Sequence, residues 1–249
     1  MTTRLAGRTA IVAGASKGIG LAIVRRFASE GAQVFALARS GQALDAAVAG
    51  MGDRVVGIEA DMTDVDAIDR AYAHIGRVAP RIDILVANVG GAELAPLGRI
   101  TPAHFDRVVN QNMRSTLFTV QQALPLLAQG ASVILVSSSS ASRGTPALSV
   151  YSAAKAAVRS FARSWMVDLR VRGIRVNVLS PGPTDTPGLQ AMAAPGQASR
   201  MLSGFASRIP SGRVGATADV AAAALFLASE ESAFVNGTEL AVDGGFAQI

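Results

Sequence analysis

The stretch "IVAGASKGIG", residues 11–20, ends the first apolar run of the chain and has two incompatible readings. Gly14, Ser16 and Gly18 spell G-x-S-x-G, the nucleophile elbow that carries the serine of α/β hydrolases. Gly14, Gly18 and Gly20 spell G-x-x-x-G-x-G, a strand-to-helix turn that brings backbone amides close to a phosphate. The surroundings separate the two. An elbow borrows an oxyanion-hole amide from an earlier loop and needs an acid and then a histidine downstream. Here the turn follows the first strand-like segment, and the only histidines are His74 and His104. The phosphate reading meets no such obstacle. Gly14 permits a tight turn off the strand, and Gly18 and Gly20 permit close approach of backbone, ligand and sheet. A helix beginning near Ile19 then aims its positive end at a pyrophosphate.

Outward from this turn, short β-branched runs alternate with longer amphipathic stretches. Strands are expected at 9–14, 32–38, 54–61, 82–88, 131–137, 174–180 and 238–242. Helices are expected at 19–29, after strand two, at 63–79 (stopped by Pro80), at about 102–127, at 150–171 and at 217–229. Strands that are nearly all apolar and separated by helices imply an α/β fold: a doubly wound parallel sheet of about seven strands, covered on both faces. Right-handed crossovers place its ligand crevice at the C-terminal strand ends. The 249 residues show no composition break, so one domain spanning 1–249 is expected.

Composition narrows the function classes. Half of the residues are apolar, enough for a core on both sides of a sheet. The chain has no cysteine, which removes disulfides, thiol catalysis and thiolate metal sites and fits a reducing compartment. With two histidines, no metal site is expected. No apolar run approaches the roughly 18 residues of a membrane span, and the first apolar run is shorter than a secretory h-region. A cytoplasmic protein without membrane partners is the expectation. The net charge of +5 comes from scattered arginines, and aromatics make up 5%; that pattern does not form a nucleic-acid surface.

Two local features carry chemistry. The end of strand two reads "LARSG" (37–41), without the acid that holds a ribose 2′-hydroxyl. Arg39, with Lys17 across the loop, supplies positive charge for a 2′-phosphate instead, so NADP(H) is predicted over NAD(H). The second feature is "YSAAK" (151–155), which sets a phenol and an ammonium one helical turn apart on one face. Every other basic residue of the chain except Lys17 is arginine. A free phenol titrates near 10 and is a slow proton donor or acceptor at neutral pH. A neighbouring cation is expected to lower that value.

These residues together resemble a classical short-chain dehydrogenase/reductase. The glycine motif of that family matches "GASKGIG" (14–20), and its adenine-contacting aspartate matches Asp61 in "ADMTD". Its N-N-A-G turn is matched in part by "ANVG" (87–90), where Asn88 and Gly90 remain. Asn112 in "NQNM" stands for the family's helix asparagine, Ser138 for its serine 13 residues before the tyrosine, and "PGPTDT" (181–186) for its P-G-x-x-x-T motif. "GRVG" (212–215) and "VDGG" (242–245) resemble its C-terminal signatures. The resemblance implies a catalytic set of Ser138, Tyr151, Lys155 and Asn112. It implies cofactor contacts at Gly14, Ser16, Lys17, Gly18, Ile19, Gly20, Arg39, Asp61, Met62, Asn88, Gly90, Pro181, Gly182, Thr184 and Thr186, shared with Tyr151 and Lys155. Ser137, Ser139 and Ser140 are rivals to Ser138 that spacing alone ranks lower.

Carried over, these roles describe hydride exchange between a nicotinamide and a carbonyl or secondary alcohol. Ser138 would donate to the carbonyl oxygen, Tyr151 would trade the proton, and Lys155 would tune the phenol and hold the ribose. The family's substrate lid falls at about 187–209, which holds Arg200 and Arg208 and no acid. That suits an apolar or anionic carbonyl compound; the resemblance makes a 3-oxoacyl-[acyl-carrier-protein] reductase the first comparison and a homotetramer the expected assembly. A non-catalytic NADP(H)-binding module and a hydrolase using Ser16 stay open as alternatives.

Overall fold

The computed structural model describes residues 3–249. Seven strands form one sheet in the order β3-β2-β1-β4-β5-β6-β7, and every neighbouring pair is parallel. The strands are β1 (Thr9–Ala13), β2 (Gln33–Ala38), β3 (Val55–Glu59), β4 (Ile82–Ala87), β5 (Leu127–Val136), β6 (Arg175–Pro181) and β7 (Glu239–Val242). The helices between them are α1 (Gly18–Ser29), α2 (Gly41–Val48), α3 (Val65–Val78), α4 (Pro102–Val109), α5 (Ser115–Ala123), α6 (Ser149–Asp168), α7 (Pro187–Gln190), α8 (Ala198–Ala206) and α9 (Thr217–Ala228).

Continuously apolar strands are what a doubly covered sheet requires, because successive side chains point to opposite faces. Ile11, Phe35, Leu85 and Val133 lie on one face with Ile68 and Tyr72 of α3, Val120 of α5 and Val158 of α6. Val12, Val34, Ile84 and Ile134 lie on the other with Ile23 and Phe27 of α1 and Val220 and Leu225 of α9. Phe27 is fully buried there, and truncating it to alanine costs about 3–5 kcal/mol.

The helix starts follow local chemistry. The Thr101 hydroxyl accepts from His104 N at 3.1 Å with Pro102 next to it at the head of α4. The Asp64 carboxylate accepts from Asp66 N at 3.0 Å at the start of α3. Such caps are worth about 1 kcal/mol each.

One expected element divides. The helix anticipated over 102–127 is α4, a π-helical turn at Asn110–Arg114, and α5, which stops at Ala123. Pro125 is the physical reason for the early stop: it has no amide hydrogen, and its ring clashes with the carbonyl four residues back. β5 accordingly begins at Leu127, paired with Ile82, rather than at 131, and its register slips before Ser132 pairs with Ile84.

The chain runs from β1 outward through β2 and β3, then crosses back to β4 on the other side of β1. This reversal opens a crevice at the C-terminal ends of β1 and β4. Among the described residues, no helix is long and apolar enough to cross a membrane.

Candidate active site

The opening glycine turn sits at that reversal. Ala15 N donates to Leu37 O at 3.0 Å, which ties the turn to the end of β2. The Asn88 side-chain amide donates to Gly14 O at 3.1 Å, which ties it to the end of β4. Gly14 has φ +74°, and a Cβ on it would run into Asn88. A Cβ on Gly20 would run into the carbonyl of Gly14. No side chain caps the amino end of α1, so its first amides remain directed at the crevice, the arrangement that receives an anion. These glycines fit a dinucleotide pyrophosphate. Ile19 is partly buried behind the turn, while Lys17 is exposed.

Three further segments lie at the C-terminal strand ends, and Thr186 of one of them reaches the turn. Thr186 places its methyl 3.4 Å from where a Cβ of Gly18 would stand, and its hydroxyl accepts from Leu189 N at 3.1 Å. Pro181 ends β6, Gly182 N donates to Val242 O at 3.0 Å, and the Thr184 hydroxyl donates to Gly182 O at 3.0 Å. Asp61, after β3, accepts from the amide and hydroxyl of Thr63 at 2.9 and 2.8 Å, and Met62 beside it is buried. Arg39 is exposed at the end of β2. A groove of about 630 Å3 runs between α1 and α9, starting at Gly18 and Pro187; Ser138, Tyr151 and Lys155 do not line it.

The remaining predicted residues meet beyond β4 and β5. Lys155 is 3% exposed, and its amine donates to Val136 O at 3.1 Å and Val89 O at 3.4 Å. Asn112, fully buried in the π-helical turn, is bonded by its amide to both backbone groups of Gly91 at 3.1 and 3.0 Å and donates to Val108 O at 2.9 Å. Gly90 lies between them: a Cβ there would come within 2.5 Å of Asn112 Oδ1 and 2.7 Å of Lys155 Nζ. Only glycine leaves room for the two side chains to meet at the end of β4.

Ser138 follows β5, and two of its three rivals have separate tasks. The Ser137 hydroxyl donates to Lys155 O at 2.9 Å and fixes α6 against the strand. Ser139 is buried. Ser140 donates to the Ser138 oxygen from both its amide at 3.2 Å and its hydroxyl at 2.9 Å. With two donors on its oxygen, Ser138 keeps its own hydrogen to give away. Sequence reasoning missed this supporting role of Ser140, for which the run of four serines carries no signal.

The Tyr151 phenol departs from expectation. Burial pushes its pKa up from the ordinary value, and a side-chain hydrogen bond with Ser138 pulls it part of the way back. The lysine is not among the causes: its amine lies 5.8 Å from the ring centroid and faces backbone carbonyls. Burial brings the Lys155 ammonium itself down to about 8. The predicted lowering of the phenol by its neighbour is therefore corrected: desolvation raises it, and the amine is turned to backbone carbonyls instead.

Neither histidine serves Ser16. His74 pairs with Arg77 at 3.5 Å on α3. His104 is buried, with Nε2 at 3.3 Å from Glu93 O and Nδ1 without a partner among the described residues.

The family model described as Enoyl-(Acyl carrier protein) reductase matches residues 14–247. An oxidoreductase (asL5) of Sarocladium schorii is 44% identical over 248 residues, covering 99% of this chain and 98% of its own. A 3-oxoacyl-[acyl-carrier-protein] reductase of Thermotoga maritima is 34% identical over 97% of this chain and 98% of its own. A solved structure of a dehydrogenase/reductase from Sinorhizobium meliloti superposes with a TM-score of 0.90 at 36% identity, covering 100% of this chain and 98% of its own.

Proposed function

The chain belongs to the short-chain dehydrogenase/reductase family of nicotinamide-dependent oxidoreductases, and we propose that it interconverts a carbonyl compound and a secondary alcohol with NADP(H). The observation that carries the proposal is that Lys155 reaches Gly90 and the Val136 carbonyl while its amine lies 5.8 Å from the Tyr151 ring, at the strand ends that also hold the glycine turn. When bound, the nicotinamide supplies the hydride for reduction and accepts it in the reverse direction.

The residues of the chain do the rest. Gly14, Ser16, Gly18, Ile19 and Gly20 cradle the pyrophosphate at the head of α1. Lys17 and Arg39 take the 2′-phosphate; both are exposed and lie on loops joined by the Ala15–Leu37 bond. Asp61 and Met62 border the adenine, and Asn88, Gly90, Pro181, Gly182, Thr184 and Thr186 wall the nicotinamide end. Ser138, held from behind by Ser140, donates to the carbonyl oxygen as charge grows on it. Tyr151 hands that oxygen its proton. At neutral pH the phenol holds its proton, as any phenol at or above its ordinary value does, and has it to give. The Ser138 hydroxyl then supports the phenolate left behind, and the Lys155 amine stays on the Val136 and Val89 carbonyls, where it can reach a ribose. Asn112 fixes the Gly91 backbone, one residue past the Gly90 that separates its side chain from the lysine.

The proposal treats 1–249 as one catalytic domain with residues 187–209 as its lid. A 3-oxoacyl thioester is the first substrate to try: the lid has no acid and carries Arg200 and Arg208, and the Thermotoga relative is named for that reaction. We assign the protein to the cytoplasm as a homotetramer, which size-exclusion chromatography with light scattering checks. The functional test is consumption of NADPH against a panel of ketones and 3-oxoacyl thioesters, with NADH in parallel. NADPH-dependent turnover of at least one compound is expected. Binding of NADPH without turnover of any ketone, or alcohol in reverse, would favour a non-catalytic binding module.

A further inference from the structure

The turn that follows β7 is folded by its own aspartate. Asp243 accepts from Gly245 N at 2.9 Å and Ala247 N at 2.8 Å through its two oxygens. Gly244 has φ +62° and presses against Ser211 and Ile209, with Ser211 N donating to Gly244 O at 3.1 Å. The turn is thereby clasped to the segment that follows α8. It delivers Phe246, 9% exposed, edge-on to Phe205 of α8 with ring centroids 6.2 Å apart and planes at 78°. Arg208 covers the Phe205 ring at 5.1 Å.

The third party is an arginine from the loop that carries Ser138. Arg143 stands five residues after Ser138 on the loop between β5 and α6. Its guanidinium lies 4.2 Å above the centroid of the Phe246 ring and also donates to the Phe246 carbonyl oxygen. No carboxylate pairs with Arg143 among the described residues. A half-buried arginine that forgoes an ion pair to hold a ring and its backbone is committed to that contact. The loop carrying Ser138, the C-terminal turn and the lid helix are thus joined through Arg143, Phe246 and Phe205.

We propose that Arg143 is a positioning residue: through Phe246 and Phe205 it sets the stance of the 198–209 part of the lid relative to Ser138 and Tyr151. The proposal rests on reading 187–209 as the cover of the active crevice. α8 has no fully buried residue of its own, so its position depends on such edge contacts more than on the core. An arginine–aromatic contact of this kind is worth enough to change local opening about tenfold.

Hydrogen exchange of the intact protein tests the mechanical part without any substrate. In Arg143→Ala and in Phe246→Ala, amides of 198–209 should exchange about tenfold faster, with those of α3 unchanged. Kinetics tests the positioning part. Both variants should raise KM for a ketone several-fold more than they lower kcat, with NADPH affinity unchanged, and Arg143→Lys should recover part of the loss. Unchanged lid exchange in both variants overturns the clasp. Faster exchange with unaltered KM overturns the positioning role. Should the wild type turn over no carbonyl compound at all, the proposed function fails while the exchange result still decides the clasp.

Discussion

The chain has two tyrosines on the same face of the sheet, and their surroundings separate a structural phenol from a chemical one. Tyr72 of α3 is buried, and its hydroxyl donates to Thr119 O at 2.9 Å. Burial alone drives its pKa far above the ordinary value. A backbone carbonyl can only accept, so it holds the protonated form and offers the phenolate nothing. Tyr151 is also raised by burial, yet its partner is the Ser138 hydroxyl, which can turn its hydrogen toward either the phenol oxygen or an incoming carbonyl. Burial by itself therefore makes a phenol inert. On the proposed reading, a reversible donor at the strand ends, rather than a fixed acceptor in mid-core, makes it serviceable.

The comparison is open to attack at several points. Ser138→Ala removes the reversible donor and should cost about a hundred- to a thousandfold in kcat, read from steady-state NADPH consumption; near-normal turnover would pass that role to Ser140. Lys155 provides a pH test. Its folded value of about 8 lies below the ordinary 10.5, so between those values the unfolded chain binds this proton more than the native state does. By linkage, wild type should gain stability relative to Lys155→Met as pH rises from about 8 to 10.5, by on the order of 3 kcal/mol in all. Urea unfolding at several pH values reads this, and a flat difference would mean the amine is not desolvated. Arg39→Ser should weaken NADPH binding about tenfold and leave NADH nearly unchanged, measured by fluorescence titration. Smallest, Tyr72→Phe should cost about 1 kcal/mol of stability and leave the kinetics as they were.

What the sequence disclosed, and what it hid, follows the range of the forces involved. The doubly covered sheet was legible because both faces of β1, β2, β4 and β5 are core, which leaves unbroken apolar runs. The glycine turn and the Tyr151–Lys155 spacing were legible because each is local to a few residues. Pro125 was a visible helix stop that the apolar periodicity through 127 overrode. The π-helical turn around Asn112 spans only five residues between two short helices, too few to show a period of its own. The sign of the Tyr151 shift was misread for a different reason. Spacing on a helix shows a cation nearby but neither the desolvation of the phenol nor the backbone carbonyls that hold the amine. The Ser140 support and the Arg143–Phe246 contact depend on how loops meet in space; the latter joins residues 103 apart.

The central claim is that the Tyr151 hydroxyl moves the proton in a nicotinamide-dependent carbonyl reduction. Its most direct test is rapid mixing of NADPH-loaded protein with a ketone that the wild type reduces, comparing wild type with Tyr151→Phe. The account predicts a single-turnover loss of NADPH absorbance in the wild type. In the variant that step should slow about a hundredfold or more at unchanged NADPH affinity. A variant that consumes its bound NADPH at the wild-type rate would contradict the account.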